Sequence, residues 1–261
     1  MQKIKITAVS YLNTKPFIYG IYRSELAEHI DLQLDIPSEC ARKLAAGEVD
    51  LALAPVAVLP EVPQPRIVSD FCIGAVGPVR TVSLFSDVPL PKIRRVFLDF
   101  HSKTSVTLVQ VLCREHWKIS PEFVPAPTDF IERIGGETAA VIIGDRTIGL
   151  GERFRYNYDL AEAWLAWTGL PFVFAAWASN RPLPEEFLEK FNAALLAGIE
   201  RVPELVQVLP TMPGFDVADY FKNCISYELD DAKWAGMNLF LEKIAPTSTT
   251  RLVRQQSFMT V

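Results

Sequence analysis

Strand and helix patterns alternate over the first 55 residues, and this order constrains the fold more than any other feature of the sequence. Residues 4–9 show the alternation of a strand, and residues 16–22 predict a short helix. A second strand is predicted at 30–36 and a second helix at 37–46. The nearly apolar run 49–54 is typical of a strand in the middle of a parallel sheet. This order predicts an α/β sheet with right-handed crossovers.

A second α/β unit is predicted after an extended, apolar segment at residues 66–86. The elements predicted beyond that segment are strands at 95–100, 122–125, 139–143 and 171–178, and helices at 104–117, 129–134, 158–167, 184–209, 216–224 and 230–244. Two α/β units joined by two extended crossings, with a helical tail returning to the first unit, predict a two-lobed solute-binding fold. We place lobe one at 1–83 plus 177–261 and lobe two at 84–176.

Composition limits the classes of function that the chain can have. Hydrophobic residues make up 49% and charged residues 22% of the chain, which is enough apolar material for a sizeable core and argues against disorder. The formal net charge of −5 argues against a nucleic-acid partner, because binding phosphates requires a basic face. A small anion is compatible with this charge, since backbone N–H groups and hydroxyls bind carboxylates without a formal positive charge.

The sequence predicts a cytoplasmic protein with no metal and no membrane segment. The four cysteines are widely spread and contain no C-x-x-C pair, which suits buried thiols in a reducing compartment. The three histidines lack the spacing of metal ligands. Met1 is followed directly by the first strand pattern, without a signal peptide, and no stretch approaches the roughly 20 apolar residues of a membrane span.

Polar residues follow several predicted strands, and these turns are the candidate ligand site. In open α/β sheets, ligands bind beyond the carboxyl ends of the strands, next to helix N-termini. The turns begin after the strands that end near residues 9, 54, 100 and 143, and Thr81 lies on a predicted crossing between the lobes. The candidate site residues are Tyr11, Asn13, Pro55, Thr81, Ser102, Thr104, Ser105, Gly144 and Asp145.

Each of these residues also has a purely structural interpretation. Ser102 and Thr104 are suitable N-caps for the predicted helix that follows them, and Asn13 suits a turn. Asp145 suits a cap, and Thr81 is an ordinary strand residue. We interpret His101, beside the third turn, as a solvated histidine.

Five segments in order resemble the chorismate dehydratases of the futalosine route to menaquinone. The segments are Ser-Tyr-Leu-Asn-Thr-Lys-Pro at 10–16, Asp-Leu-Ala-Leu-Ala-Pro-Val at 50–56, Arg-Thr-Val-Ser-Leu-Phe-Ser at 80–86, Leu-Asp-x-x-Ser-x-Thr-Ser at 98–105 and Thr-Gly-Leu-Pro-Phe-Val-Phe-Ala at 168–175. The resemblance covers roughly residues 4–178, and the helical tail is similar only in character.

The resemblance implies a type II periplasmic-binding-protein fold used as an enzyme without a cofactor. The implied reaction removes water from chorismate and gives 3-[(1-carboxyvinyl)oxy]benzoate. It places Asn13 nearest the elimination, and Thr104 and Ser105 where they would hold a carboxylate. Thr81 stands where relatives often have Ser, which keeps the hydroxyl but adds a methyl group.

Two other functions are compatible with the same fold. One is 1,4-dihydroxy-6-naphthoate synthase of the same pathway, a family that resembles this chain less because it lacks the Ser-Tyr-Leu-Asn turn. The other is a non-enzymatic solute-binding protein for a small carboxylate, which would require export. The sequence gives no indication of the oligomeric state.

Overall fold

The apolar strand predicted near residue 50 lies inside the larger of two β-sheets. The computed structural model describes residues 3–245 and 252–254. The strands of the larger sheet are β1 (Ile4–Val9), β2 (Ile30–Asp35), β3 (Leu51–Pro55), β4 (Arg66–Ala75), β10 (Phe172–Ser179), β11 (Ser226–Glu228) and β12 (Val253–Arg254). Their order is β11-β4-β10-β3-β1-β2, with β12 paired to β4. Strand β1 is parallel to β2 and β3, whereas β10 is antiparallel to β3 and β4.

The second sheet is made from one continuous stretch of the chain. Its strands are β5 (Val82–Ser86), β6 (Arg95–Leu98), β7 (Glu122–Pro125), β8 (Thr138–Ile143) and β9 (Tyr156–Asp159). Their order is β7-β6-β8-β5-β9, with β6 parallel to β7 and β8. The chain leaves the larger sheet after β4, crosses at 76–81, and returns through 169–171 into β10.

This topology confirms the predicted two-lobed α/β fold. The division of the chain at 83/84 and 176/177 stays a prediction. The second of these boundaries falls inside strand β10, which pairs with β3 and β4 of the larger sheet.

Helices cover the edges and faces of both sheets. They are α1 (Lys15–Tyr22), α2 (Pro37–Ala45), α3 (Lys103–Val111), α4 (Leu160–Thr168), α5 (Glu185–Glu200), α6 (Val202–Val208), α7 (Val217–Asp219) and α8 (Asp231–Ile244). Helix α3 continues into a π-helical segment, Leu112–Trp117, and α7 continues into another, Tyr220–Cys224. No helix within the described ranges is both long and apolar enough to cross a membrane.

Two predicted elements differ from the structure, and one strand of the structure was not predicted. The helix predicted at 158–167 begins only at Leu160, because the preceding residues form β9 and the Asp159 side chain caps the helix by accepting from the N–H groups of Ala161 and Glu162. The helix predicted at 129–134 is a short 3-10 turn, Phe130–Arg133. Strand β11 was not predicted, since its three residues are stabilised by pairing with the distant strand β4.

Aromatic side chains hold helices α1 and α5 against the larger sheet. Trp177 on β10 is fully buried, and its ring centroid lies 5.8 Å from that of Phe17 and 4.9 Å from that of Phe191. Each such ring pair adds about 0.5–1.5 kcal/mol to the stability that burial alone provides. This packing anchors α1, the helix that follows the first candidate turn.

The two helices also touch each other backbone to backbone. A Cβ atom added at Gly198 would lie 2.0 Å from the carbonyl oxygen of Pro16, and one at Gly20 would lie 2.0 Å from that of Ala194. Only glycine allows this approach at either position. The contact fixes α1, and therefore the turn before it.

Gly198→Ala is expected to lower the free energy of unfolding by about 1–3 kcal/mol through overpacking. The overpacking outweighs the helix propensity of alanine, which favours alanine over glycine by about 1 kcal/mol inside a helix. The variant is therefore expected to be less stable than the wild type. Urea unfolding followed by circular dichroism measures the difference. Gly151→Ala is the control, because Gly151 has open space around its Cβ position and a φ outside the left-handed region. If both variants unfolded like the wild type, the close helix contact would be wrong.

Candidate active site

A cavity of about 470 Å³, counting the part open to solvent, is lined by residues of both lobes. The predicted site residues that line it are Tyr11, Asn13, Pro55, Thr81, Ser102, Ser105 and Gly144. The turns after β1, β3, β6 and β8 therefore converge on one cavity. The role of these residues in binding a ligand stays a prediction.

Two predicted site residues lie beside the cavity and connect the lobes. The Thr104 hydroxyl is fully buried and accepts a hydrogen bond from the N–H of Ala57 at 3.2 Å. The Asp145 carboxylate accepts from the N–H of Leu12, with distances of 3.0 and 3.2 Å to its two oxygens. Neither side chain is among the groups that line the cavity.

Ser102 and Ser105 combine the capping and lining roles that the sequence left as alternatives. Ser102 is the N-cap of α3, and its oxygen accepts from the Ser105 N–H and from the Ser105 hydroxyl, both at 3.3 Å. Both residues line the cavity, so the N-terminus of α3 is directed towards it. The partial positive charge of a helix N-terminus stabilises an anion bound there.

Asn13 is held by its neighbour in sequence and by the helical tail. Its Oδ1 accepts from the Thr14 hydroxyl at 3.3 Å, and its side chain lies beside Tyr220, whose hydroxyl is 2.8 Å from the Thr81 hydroxyl. Its backbone carbonyl accepts from the Tyr227 hydroxyl at 2.9 Å. Burial raises the pKa of both tyrosines, so both remain neutral hydrogen-bonding groups. The amide of Asn13 is therefore fixed in orientation at the cavity wall.

Tyr11 and Gly144 face each other across the cavity mouth. Gly144 has a φ of +66°, and a Cβ atom there would lie 2.8 Å from three atoms of the Tyr11 ring. Any other residue at position 144 would be strained and would push the ring away. Gly144 thus determines where the Tyr11 ring lies.

A polar network extends from Tyr11 away from the cavity. The Tyr11 hydroxyl lies 2.7 Å from Nδ1 of His101, and the two ring planes are nearly parallel, at 8°. Arg146 lies near Tyr11 and pairs with Asp99, which is fully buried and also accepts from the backbone N–H of His101 at 3.1 Å. The interpretation of His101 as a solvated histidine is therefore wrong, because its ring is half-buried and bonded to Tyr11.

Burial sets the protonation states in this network. It raises the pKa of Tyr11 to about 12, although the nearby Arg146 guanidinium opposes the shift. Burial, together with the positive charge of Arg146, lowers the pKa of His101. Both groups are consequently neutral at physiological pH.

No charged side chain of a described residue lines the cavity. Among the described residues, no aspartate, glutamate, histidine, cysteine, lysine or arginine lines it. No cluster of metal-ligating residues is found in ranges 3–245 and 252–254. An anion bound there would be held by hydroxyls, an amide and the N-terminus of α3, and the wall supplies no side chain that is a base at neutral pH.

Comparisons with known proteins place the chain. The sequence model of a family described as menaquinone biosynthesis matches residues 4–246. The chain belongs to this menaquinone biosynthesis family. It is 28% identical over 262 residues to a protein of Thermus thermophilus named chorismate dehydratase, with 88% of this chain and 96% of that protein covered. The resemblance that the five sequence segments indicated is confirmed.

Solved structures support the fold of this family member. Protein AF1704 of Archaeoglobus fulgidus has a TM-score of 0.71 at 14% identity, covering 94% of this chain and 97% of its own. An ABC transporter protein of Parabacteroides distasonis has a TM-score of 0.66 at 16% identity, covering 100% and 99%. The CA3427 gene product of Candida albicans, described as having the generic periplasmic binding protein fold, has a TM-score of 0.63 at 9% identity, covering 98% and 99%. At these identities the likeness shows the fold alone.

Tyr220 and Tyr227 were missed by the sequence analysis. Tyr220 lies on a predicted helix, where a buried tyrosine has the same pattern as any core aromatic, and Tyr227 lies in the segment between two predicted helices. Their hydroxyls reach Thr81 and Asn13, which lie 139 and 214 residues away in sequence. No local signal could have indicated these contacts.

Tyr220→Phe is expected to lower the free energy of unfolding by about 1–3 kcal/mol, because it removes the 2.8 Å partner of the buried Thr81 hydroxyl, which keeps only a longer contact of 3.4 Å to the Val79 carbonyl. Urea unfolding measures the loss. Tyr22→Phe is the control, since Tyr22 is 59% exposed and its loss is expected to cost at most about 0.5 kcal/mol. Equal effects of the two variants would contradict a structural role of the Tyr220 hydroxyl.

Proposed function

We propose that the protein is a chorismate dehydratase, which removes water from chorismate to give 3-[(1-carboxyvinyl)oxy]benzoate. The observation that supports this most strongly is the convergence of amide and hydroxyl groups from both lobes on one cavity without charged side chains. Membership of the menaquinone biosynthesis family and the likeness to the Thermus thermophilus protein support it further. The enzyme is then a carbon–oxygen lyase.

The chemistry of the substrate suits such a site. Loss of the C3 proton and the C4 hydroxyl makes the ring aromatic, so the reaction is driven without a cofactor. The enzyme has to orient the substrate, allow one proton to be removed and stabilise the departing hydroxide. Fixed hydroxyl and amide groups in a cavity that excludes water perform these tasks.

The base that removes the C3 proton is, in this proposal, the enolpyruvyl carboxylate of the substrate itself. Within the described residues, the cavity wall offers no carboxylate or imidazole, and the neutral amide of Asn13 is too weak a base. Asn13 then orients or polarises the substrate. Its fixed position, between Tyr220 and Tyr227, suits that role.

A substrate carboxylate is held by Ser102, Ser105 and the N-terminus of α3. Both hydroxyls line the cavity, and the helix dipole adds to their attraction for an anion. The family resemblance implies this role for Thr104 as well, but Thr104 does not line the cavity. Its hydroxyl accepts from the N–H of Ala57 and so holds the start of α3 against the first lobe. Contacts between the lobes at Leu12–Asp145 and Ala57–Thr104 hold the two sides of the cavity together.

Incubation with chorismate tests the proposal. The expected result is a product lighter by one water molecule in mass spectrometry, with loss of the cyclohexadiene absorbance and gain of an aromatic spectrum. Treatment of the protein with a chelator beforehand is expected to leave the rate unchanged. Binding of chorismate without turnover would instead indicate a solute-binding protein and contradict the proposal.

Asn13→Ala and Asn13→Asp are expected to lower kcat by roughly 100-fold or more, as is typical when a fixed polar group at the reacting centre is removed. The affinity for chorismate, measured by calorimetry, is expected to change much less. Asn157→Ala, at an exposed strand position, is the control and should keep the wild-type rate. Near-normal turnover by the Asn13 variants would remove Asn13 from the mechanism.

A further inference from the structure

The Tyr11 hydroxyl lies between the cavity and a histidine that is not part of the cavity wall. Tyr11 lines the cavity, whereas His101 lies behind it, half-buried, with Nδ1 at 2.7 Å from the Tyr11 oxygen. The two ring planes are nearly parallel, with an angle of 8° between them and 6.4 Å between the ring centroids. This arrangement connects the interior of the cavity to the outside through two groups that can each give and take a proton.

The tautomer of His101 determines where the Tyr11 hydrogen points. In the tautomer with hydrogen on Nδ1, the histidine donates to the phenol oxygen. The O–H hydrogen of Tyr11 is then free to point into the cavity.

We propose that Tyr11 and His101 deliver the proton that converts the departing hydroxide of the substrate into water, an inference that rests on the dehydratase function proposed above. Tyr11 is the catalytic acid in this step, and His101 is the group that reprotonates it. The roles proposed above for Asn13, Ser102 and Ser105 leave the protonation of the leaving group to another residue.

The step balances in atoms and charge. The C4–O bond breaks, and its electron pair stays on the departing oxygen, which takes the Tyr11 proton to become water. The Tyr11 oxygen takes the proton from Nδ1 of His101, and Nε2 of His101 takes one from solvent. The proton removed from C3 is later released to solvent, so the net change is the loss of one water molecule.

The acidity of the groups suits this direction of transfer. Burial raises the pKa of Tyr11 to about 12, so the phenol is protonated before the reaction. It still donates readily to hydroxide, because a phenol is a stronger acid than water. The phenolate formed in passing is stabilised by the positive charge of Arg146, while Asp99 and Asp145 balance that charge.

His101→Asn separates proton transfer from positioning. The asparagine amide can still hydrogen-bond the Tyr11 oxygen from the place of Nδ1, but it cannot take up a second proton and pass one on. We expect kcat to fall roughly 100-fold with chorismate as substrate, with KM within about threefold of wild type. His116→Asn, at another half-buried histidine, is the matched control and should keep the wild-type kcat.

Tyr11→Phe and a solvent isotope effect complete the experiment. Tyr11→Phe is expected to lower kcat at least as much as His101→Asn, and circular dichroism checks that both variants are folded. The C3 hydrogen is bound to carbon and does not exchange, so a lower wild-type kcat in D₂O reports the O–H and N–H protons. We expect this isotope effect for the wild type.

A third variant, His101→Ala, tests the role of the imidazole group. Added imidazole is expected to restore part of its activity.

The outcomes separate this inference from the proposed function. A wild-type protein that forms no dehydration product overturns both. A wild-type protein that dehydrates chorismate, with His101→Asn or Tyr11→Phe at the wild-type kcat, overturns the proton delivery and leaves the dehydratase in place.

Discussion

The hydrogen bonds between the N–H of Leu12 and the carboxylate of Asp145 are the contact on which the site depends. They join residues 133 positions apart and hold the turn after β1 against the second lobe. Tyr11 and Asn13 flank Leu12, so both reach the cavity because of this contact. Burial raises the pKa of Asp145, and the Leu12 N–H and the charge of Lys15 offset part of that cost. Positioning this turn therefore costs the partial desolvation of the Asp145 carboxylate.

The absence of charge from the cavity wall within the described residues has a consequence for catalysis. Removing lysine or arginine from water is costly, and a hydroxyl or amide that is already oriented avoids most of that cost. A dianionic ligand then meets fixed dipoles at Ser102, Ser105 and Asn13. The charged residues near the site, Asp99 and Arg146, pair with each other behind Tyr11. Their effect on the ligand passes through Tyr11 and His101.

The tail takes part in the site although it is far from the other site residues in sequence. Tyr220 and Tyr227 follow the second sheet in sequence, yet their hydroxyls hold Thr81 and Asn13. The fold itself is shared with solved structures whose sequences are only 9–16% identical to this chain. Function therefore depends on which side chains reach the cleft, because one scaffold supports many activities.

The sequence by itself determined the two-lobed α/β fold and the turns that form the cavity, because strand alternation, helical periodicity and the polar residues after strands are local patterns. It also predicted Asn13, Thr81, Ser102 and Ser105 as candidates. Only the tertiary structure decided that Thr104 and Asp145 connect the lobes instead of lining the cavity. It alone placed His101 on Tyr11 and Tyr220 on Thr81. The partners in these contacts lie 47 to 139 residues apart, and no local pattern specifies such pairs.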